Sequence, residues 1–302
     1  MTNSQAEKRP KRHCMVVHAY YPAGETRVER EALALVDYGL EVDVLCLRRS
    51  GQKAFETLEG VNVYRLPAKR YKRSSAARQL LEYMAFFVVA FAKLTALHFT
   101  RRYAVIQVHN LPDFLVFAAL VPKLSGARVI LDLHDLMPEF YAARFHTDMD
   151  SRAVKIVRWQ EQLSCRFADH AITVTELWRQ ALIERGIPPD KIAVVMNVAN
   201  SRFFHRRPLS KTPIGEDDRL DLIYHGGWPR RYGIDIAIRA VHTVREKVPA
   251  IHLTIHGGGD EREALFELTK ELDLERHISF STKLLPSSML PQLIRKADIG
   301  IV

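Results

Sequence analysis

Short apolar, β-branched runs alternate with longer amphipathic stretches along most of this 302-residue sequence. The alternation is typical of βαβ units, so it predicts an α/β fold built on parallel sheets. The predicted N-terminal strands are His13–Ala19, Glu41–Leu47, Val61–Arg65, Val105–His109, Arg128–Leu133, His170–Val174 and Lys191–Val195. The helices predicted between them are Arg27–Tyr38, Leu111–Ser125, Arg152–Phe167 and Thr175–Glu184.

The pattern lapses between Arg202 and Arg219, where prolines, basic residues and an acidic cluster predict a linker. Strands Leu220–His225, His252–His256, Ile278–Ser281 and Asp298–Val302 then alternate with helices Ile234–Lys247, Glu261–Leu272 and Ser288–Lys296. We therefore predict two doubly wound domains, residues 1–202 and 203–302, facing each other across a cleft. Because the second domain stops on a strand without a covering helix, we expect it to be truncated at its C-terminus.

The composition of the chain limits the classes of ligand that it is expected to bind and the cell compartment in which it is expected to lie. A net charge of +9, from 44 Lys and Arg against 35 Asp and Glu, suits an anionic ligand. Nucleic acid is not predicted, because no motif interleaves aromatic and basic residues. Cys14, Cys46 and Cys165 are too widely spaced to indicate a disulfide framework or a zinc site, and no signal peptide is apparent. These features predict a cytoplasmic protein.

The segment 69–102 allows two interpretations. Its centre, Met84–Ala92, is apolar around the whole helix, and the basic residues Lys69–Arg73 and Arg101–Arg102 frame it. The uninterrupted run is about half of the roughly 20 residues that a membrane span requires. The segment is therefore predicted either to lie on an anionic membrane surface, as in a peripheral protein of the inner face, or to be buried against the first sheet.

Polar side chains follow two neighbouring predicted strands of the first domain. His109 ends one strand, while Asp132, His134 and Asp135 come at the end of the next. Asp132 and His134 point to the same face of their strand, so His109 and His134 are expected on one rim of the sheet. Such a set could bind a metal, act as acid or base, hold sugar hydroxyls, or be structural. No H-x-x-x-H spacing supports the metal.

The first strand-to-helix turn is a weaker candidate. It contains Gly24 just before Arg27, at the carboxyl end of a strand, where open α/β sheets bind ligands. A glycine there lets the backbone approach a phosphate or a sugar closely, although an ordinary turn also uses glycine.

Two glycine-rich turns follow neighbouring strands of the second domain. Gly226 and Gly227 precede Arg230 and Arg231 at the start of a helix, a combination that favours anion binding. Gly257 and Gly258 follow the next strand. Together the two turns predict a site for a nucleotide diphosphate.

These stretches resemble the family-4 retaining glycosyltransferases of GT-B fold, the glycosyl transferases group 1. The resemblance runs from about Arg12 to Val302 and is most specific over Tyr224–Ala240, which is similar to the family's G…R-K-G-hydrophobic-D…A opening of the donor domain. Arg27–Leu35 resembles the family's R-V-x-R-E-A-x-x-L helix, and Asp132–Glu139 also looks characteristic.

The resemblance implies a function. It implies two Rossmann-like domains, acceptor-side then donor-side, that transfer a sugar with retention from a UDP- or GDP-type nucleotide sugar to a glycan or lipid-linked acceptor. The setting implied is the biosynthesis of cell-surface polysaccharide or glycoconjugate. The nucleotide sugar is a co-substrate, and neither a metal nor another cofactor is implied.

The resemblance also implies roles for individual residues. His109 would lie near the reacting sugar and Arg231 would pair with the donor diphosphate, stabilising the leaving group, so both are expected to be catalytic. The other donor-binding residues implied are Gly226, Gly227, Arg230, Gly257 and Gly258. The acceptor-side residues implied are Gly24, Arg27, His134 and Asp135.

Two departures leave an alternative open. Tyr232 stands where many members carry lysine, and Arg230 is the expected substitute. The family's paired glutamates, E-x7-E, are expected beyond Val302. The alternative is a truncated, catalytically inactive module of the same fold that binds a glycan or a partner.

Overall fold

The structure, a computed structural model, describes residues 11–22, 25–68, 75–199, 203–205, 220–283, 285 and 289–302. The chain folds as two compact units, Met1–Val198 and Ala199–Val302. Each unit has its own sheet and its own buried core.

Unit 1 is built on an eight-stranded sheet with the order β3-β4-β2-β1-β5-β6-β7-β8. Its strands are β1 Arg12–Tyr20, β2 Glu41–Leu47, β3 Phe55–Leu58, β4 Val61–Leu66, β5 Val105–His109, β6 Arg128–Leu133, β7 His170–Thr173 and β8 Ile192–Val194. All seven strands predicted for this unit are present and pair in parallel. The prediction missed β3, a four-residue antiparallel edge strand whose residues are half-buried or exposed and so lack an apolar run.

Within the described residues of unit 1, six α-helices accompany this sheet: α1 Thr26–Asp37, α2 Ala76–Arg101, α3 Leu120–Leu124, α4 Met137–Phe145, α5 Arg152–Phe167 and α6 Glu176–Glu184. The prediction of one α-helix over Leu111–Ser125 is wrong, since Asp113–Ala119 form a 3-10 helix before the short α3. Pro122 explains the division, because it has no amide hydrogen to continue an α-helical ladder. The prediction also missed α4, a nine-residue helix with Pro138 in its first turn.

One face of α2 is buried and the other is exposed. Glu82, Phe86, Ala90, Leu94 and His98, spaced four residues apart, pack towards β1, β4 and the 3-10 helix. Among the described residues, α2 alone is long and apolar enough to cross a membrane by length and composition, and 22% of its most apolar window is buried. The interpretation of a helix packed against the first sheet is confirmed for the buried face, and contact of the exposed face with a membrane surface stays a prediction.

Unit 2 holds a parallel sheet with the order β11-β10-β9-β12. Its elements are β9 Leu220–Gly227, α7 Ile234–Val244, β10 Ile251–Gly258, α8 Arg262–Glu271, β11 Ile278–Ser281, α9 Leu290–Ile294 and β12 Ile299–Ile301. All four strands and three helices predicted here are present, with helices one to three residues shorter at most ends. Ser288, the predicted start of the last helix, lies outside the described residues.

A carboxylate of α5 is buried in unit 1. Glu161 is fully buried and accepts a hydrogen bond from Arg185 Nη1 at 2.7 Å. Burial outweighs this pairing and raises the pKa of Glu161 to about 7. The folded protein therefore holds a proton on Glu161 at a pH where the unfolded chain has lost it.

This shift predicts that Glu161 makes folding weaker as the pH rises. Between the unfolded pKa of 4.5 and the folded pKa of about 7, only the native state keeps the proton, so the unfolding free energy falls by up to about 3 kcal/mol. Glu161→Gln should remove this decline, measured as the difference from wild type in urea unfolding at pH 5 and pH 8.

The matched control is Glu184→Gln at the end of α6, because this substitution replaces a solvent-exposed carboxylate instead of a buried one. If the unfolding free energies of wild type and Glu161→Gln differ by the same amount at pH 5 and at pH 8, the raised pKa of Glu161 is contradicted.

Candidate functional site

The candidate site of unit 1 lies at the carboxyl ends of β5 and β6. The parallel register of these strands sets His109 opposite Asp132, and the backbone amide of Asn110 donates to the carbonyl of Asp132 at 3.0 Å. His134 follows β6 within two residues. Strand register therefore sets three polar side chains beside each other.

The three side chains form a tight cluster. His109 Nδ1 lies 3.0 Å from His134 Nε2 and 3.3 Å from Asp132 Oδ2, and His134 Nε2 lies 3.6 Å from the same oxygen. His109 and Asp132 are fully buried, whereas the His134 side chain keeps 15% of its surface exposed. The structure thus brings the two predicted histidines together, while their roles stay predictions.

Burial and hydrogen bonding determine which side chains of this cluster are charged. Burial opposes ionisation of Asp132, but hydrogen bonds from His109 and His134 outweigh it and hold the pKa of this carboxyl well below its usual range. Burial lowers the pKa of His109 despite the neighbouring carboxylate. The cluster therefore holds an ionised Asp132 beside a neutral His109 at neutral pH.

The second ring nitrogen of His109, Nε2, takes no part in the contacts of the cluster. Its Nδ1 faces the carboxylate of Asp132, so the proton of the neutral ring belongs on Nδ1 and Nε2 keeps its lone pair. Nε2 is buried and has no hydrogen-bond partner among the residues that the structure describes. A buried acceptor without a partner is costly, which makes this atom a candidate contact for a ligand hydroxyl.

A second layer of side chains holds Asp132. Arg27 donates to both carboxylate oxygens, at 3.2 Å from Nε and 3.1 Å from Nη2, and Gln107 Nε2 donates at 3.1 Å. Glu31 Oε1 lies 3.1 Å from Arg27 Nε, and Glu31 Oε2 accepts a hydrogen bond from Gln107 Nε2 at 2.7 Å. Burial, and then the charge of Asp132, raise the pKa of Glu31 to about 7. The carboxylate of Asp132 is thus held from three sides.

Sequence reasoning missed part of this layer. Gln107 lies two residues before His109, so both side chains face the same side of β5, and Glu31 lies one helical turn after Arg27. Those spacings were the available signals. Arg27, predicted on the acceptor side, is only 6% exposed and also donates to the carbonyl of Val195 at 2.8 Å.

A turn residue connects the two strand ends. Asn110 donates from Nδ2 to Asp113 Oδ1 at 2.8 Å and to the carbonyl of Asp135 at 2.6 Å, and its Oδ1 accepts from the amide of His134 at 2.7 Å. Asp135 is exposed. Gly24, the remaining predicted acceptor-side residue, lies outside the described residues.

The cluster has a composition that can hold a metal ion. Within the described ranges, His109, Asp132 and His134 offer ligand atoms within 4.8 Å of one another. The position of Arg27 disfavours a bound cation, because its guanidinium already donates to both oxygens of Asp132. A metal ion held by Asp132 would lie close to this guanidinium, and two positive charges repel each other strongly in a buried setting. The arrangement therefore favours a hydrogen-bonded cluster, and a metal-free site stays our prediction.

The candidate donor site of unit 2 lies where β9 and β10 end. Gly226 and Gly227 stand in register with Gly257 and Gly258, so the two predicted turns are adjacent. A Cβ on Gly257, where φ is +138°, would lie 1.8 Å from the carbonyl oxygen of Gly226. Gly257 is therefore required for close packing of the two turns. A Cβ on Gly258 would meet nothing within 4 Å.

Two cations lie beside these turns. Arg230 and Arg231 begin a 3-10 helix that passes through Gly233, with φ of +64°, into α7. Both arginines are exposed, and Arg231 stacks on the half-exposed ring of Tyr232 at 4.9 Å. The partial positive charge of a helix N-terminus adds to theirs. The local field suits an anion.

Comparison with known proteins matches both units to families. A model described as "Glycosyl transferase 4-like domain" matches residues 23–198, and one described as "Glycosyl transferases group 1" matches residues 207–302. The chain belongs to the group 1 glycosyltransferases. This glycosyltransferase therefore has the GT-B fold that the sequence resemblance implied, and the enzyme class is confirmed.

Solved structures agree on the fold of this glycosyltransferase. A sucrose-phosphate synthase from Thermosynechococcus elongatus is 18% identical with a TM-score of 0.73, over 97% of this chain and 75% of that one. An Anabaena protein in complex with UDP is 15% identical with a TM-score of 0.63, over 96% and 73%. The catalytic domain of Arabidopsis thaliana starch synthase IV, bound to ADP and acarbose, is 13% identical with a TM-score of 0.66, over 97% and 78%.

Proposed function

We propose that this glycosyltransferase transfers a sugar, with retention, from a UDP- or GDP-type nucleotide sugar to a glycan or lipid-linked acceptor. The observation that carries the donor side is the pair of exposed arginines beside two adjacent glycine turns in unit 2. The nucleotides bound in two structural neighbours, UDP and ADP, support a nucleotide-sugar donor. Retention rests on the family resemblance.

Arg231 is the proposed electrophilic residue. When the bond between the sugar and the diphosphate breaks, negative charge builds on the leaving phosphate, and a fixed guanidinium stabilises that charge. Arg230, next to it in the same 3-10 helix, would supply a second cation. Two arginines and a helix N-terminus make a metal unnecessary for this step.

His109 is the proposed contact to a sugar. Its Nε2 is a buried lone pair on a neutral ring, so it would accept a hydrogen bond from a hydroxyl group rather than place a positive charge beside a forming oxocarbenium-like centre. Asp132 and Arg27 act behind it by fixing the ring.

The proposed setting is the inner face of a membrane, in the biosynthesis of a cell-surface polysaccharide or glycoconjugate. The exposed apolar face of α2 is the observation that favours it.

The donor proposal predicts nucleotide binding that depends on Arg231. Calorimetric titration of UDP and GDP should show saturable binding of one of them, and Arg231→Ala should weaken it about tenfold to a hundredfold, because a charge-assisted hydrogen bond is lost. The matched control is Arg239→Ala, an exposed arginine further along α7. Equal affinity in all three proteins would contradict the role of Arg231, and absence of binding would favour the non-catalytic module.

A further inference from the structure

Unit 1 contains an apolar pocket outside the His109 cluster. It has a volume of about 320 Å³ and lies between the first turns of α2, the 3-10 helix, α4 and α5. Its walls are mainly aromatic and aliphatic, with Leu80, Phe114, Phe140 and Ile156 among them, and no charged residue of the described chain lines it. Such a pocket suits an apolar ligand rather than a sugar.

The pocket opens beside the exposed face of α2. Leu81 is 70% exposed, Val88 is 60% exposed and Phe99 is 71% exposed. From Gln79 to Phe99, every exposed residue of this helix is apolar. An apolar strip of this length is unusual on a surface that only water covers.

A second apolar strip lies on α5. Ile156, Trp159 and Leu163 are spaced three and four residues apart, so they share one face, and their exposed fractions are 65%, 62% and 39%. Arg152, Lys155 and Arg166 are exposed along the same helix. The one acidic residue of α5, Glu161, is fully buried, and the structure describes every residue of this helix. An exposed tryptophan in an apolar strip flanked by cations is typical of a helix at an anionic lipid surface.

The two strips meet at the pocket, because Leu80 of α2 and Ile156 of α5 both line it and are both more than half exposed. We propose that this pocket binds the hydrocarbon chain of an anionic, lipid-linked acceptor, while the cations of α5 face its phosphate and the surrounding headgroups. This inference rests on the proposed function, since it specifies the acceptor class. A second copy of the chain is a poorer occupant, because the cations of two α5 helices would repel each other.

Alkyl phosphates provide a direct probe of the pocket. Each methylene that leaves water strengthens binding about fourfold. Octyl phosphate has four more methylenes than butyl phosphate, so burial of all four should strengthen its binding about 250-fold and burial of only two of them about 16-fold. Titration calorimetry measures both. Equal affinity for the two probes would overturn the proposal, because binding would then depend on the phosphate alone.

Variants at exposed lining residues locate the binding. Leu80→Glu and Ile156→Glu should each weaken octyl phosphate binding at least about tenfold and should reduce co-sedimentation with vesicles of equal parts phosphatidylcholine and phosphatidylglycerol. The matched control is Leu124→Glu on α3, which is 80% exposed and does not line the pocket. Both lining residues are exposed, so the variants should keep the wild-type thermal unfolding.

Nucleotide titration of the same variants separates the two proposals. Loss of octyl phosphate binding with unchanged UDP or GDP binding supports a lipid site. Chain-length-dependent binding without nucleotide binding would retain the lipid site and reject the proposed transferase donor. An Ile156→Glu variant that breaks a dimer, seen by analytical ultracentrifugation, yet binds octyl phosphate like wild type would overturn the lipid site in favour of self-association.

Discussion

Replacing Arg27 by alanine is expected to lower the unfolding free energy by about 4 kcal/mol, among the largest effects of a single substitution in unit 1. The guanidinium is 6% exposed and donates one hydrogen bond to each carboxylate oxygen of the fully buried Asp132. Removing one partner of a buried ion pair leaves an uncompensated charge, which typically costs 3–5 kcal/mol. The carbonyl of Val195 and the side chain of Asn197 also lose a donor.

Three comparisons make this prediction specific. Arg27→Lys should recover only part of the loss, because an ammonium cannot pair with both oxygens. Arg30→Ala, on the same helix, is the matched control. The double variant Arg27→Ala with Asp132→Asn should be less unstable than the sum of its single changes, since it removes the stranded charge. Urea unfolding measures these four variants and the single variant Asp132→Asn, and a loss below about 1 kcal/mol for Arg27→Ala would contradict the buried pair.

Gly257→Ala is expected to destabilise unit 2 by about 4 kcal/mol, whereas Gly258→Ala should be tolerated within about 1 kcal/mol. The added Cβ at position 257 would lie 1.8 Å from the carbonyl oxygen of Gly226, and φ there is +138°. A backbone oxygen cannot swing away as a side chain can, so β9 and β10 would have to separate. At position 258 the same methyl group would meet nothing within 4 Å.

Trp228 reports on this pair of glycines. It is fully buried, its indole packs on Phe266 and Phe280, and its Nε1 would lie 3.2 Å from a Cβ on Gly257. With Trp159 and Trp178 replaced by phenylalanine, the emission of Trp228 follows unfolding of unit 2 alone. Equal stability of the two alanine variants would contradict the close packing of the turns.

The glycine comparison also refines the donor site. The sequence assigned Gly257 and Gly258 together to ligand binding, because both belong to one glycine-rich turn. The structure gives Gly257 a packing function and leaves space at Gly258. If nucleotide approaches this turn, Gly258→Ala should affect binding without affecting stability, and Gly257→Ala should affect both.

The sequence by itself determined the parallel α/β architecture of both units and the position of the candidate residues at strand ends. Apolar runs and helical periodicity are local properties, so they can be recognised without tertiary contacts. The edge strand β3 and the helix α4 were missed because short, half-exposed or proline-containing elements carry a weak local pattern.

Only the tertiary structure decided which of those residues touch. Arg27 and Asp132 are 105 residues apart in the chain, and Gln107 reaches Asp132 from the neighbouring strand. The apolar faces of α2 and α5 likewise meet at one pocket although no local pattern joins them. The burial, the pKa and the hydrogen-bond partners of a side chain depend on groups that the fold brings together from distant positions in the sequence. A local sequence pattern does not contain those distances.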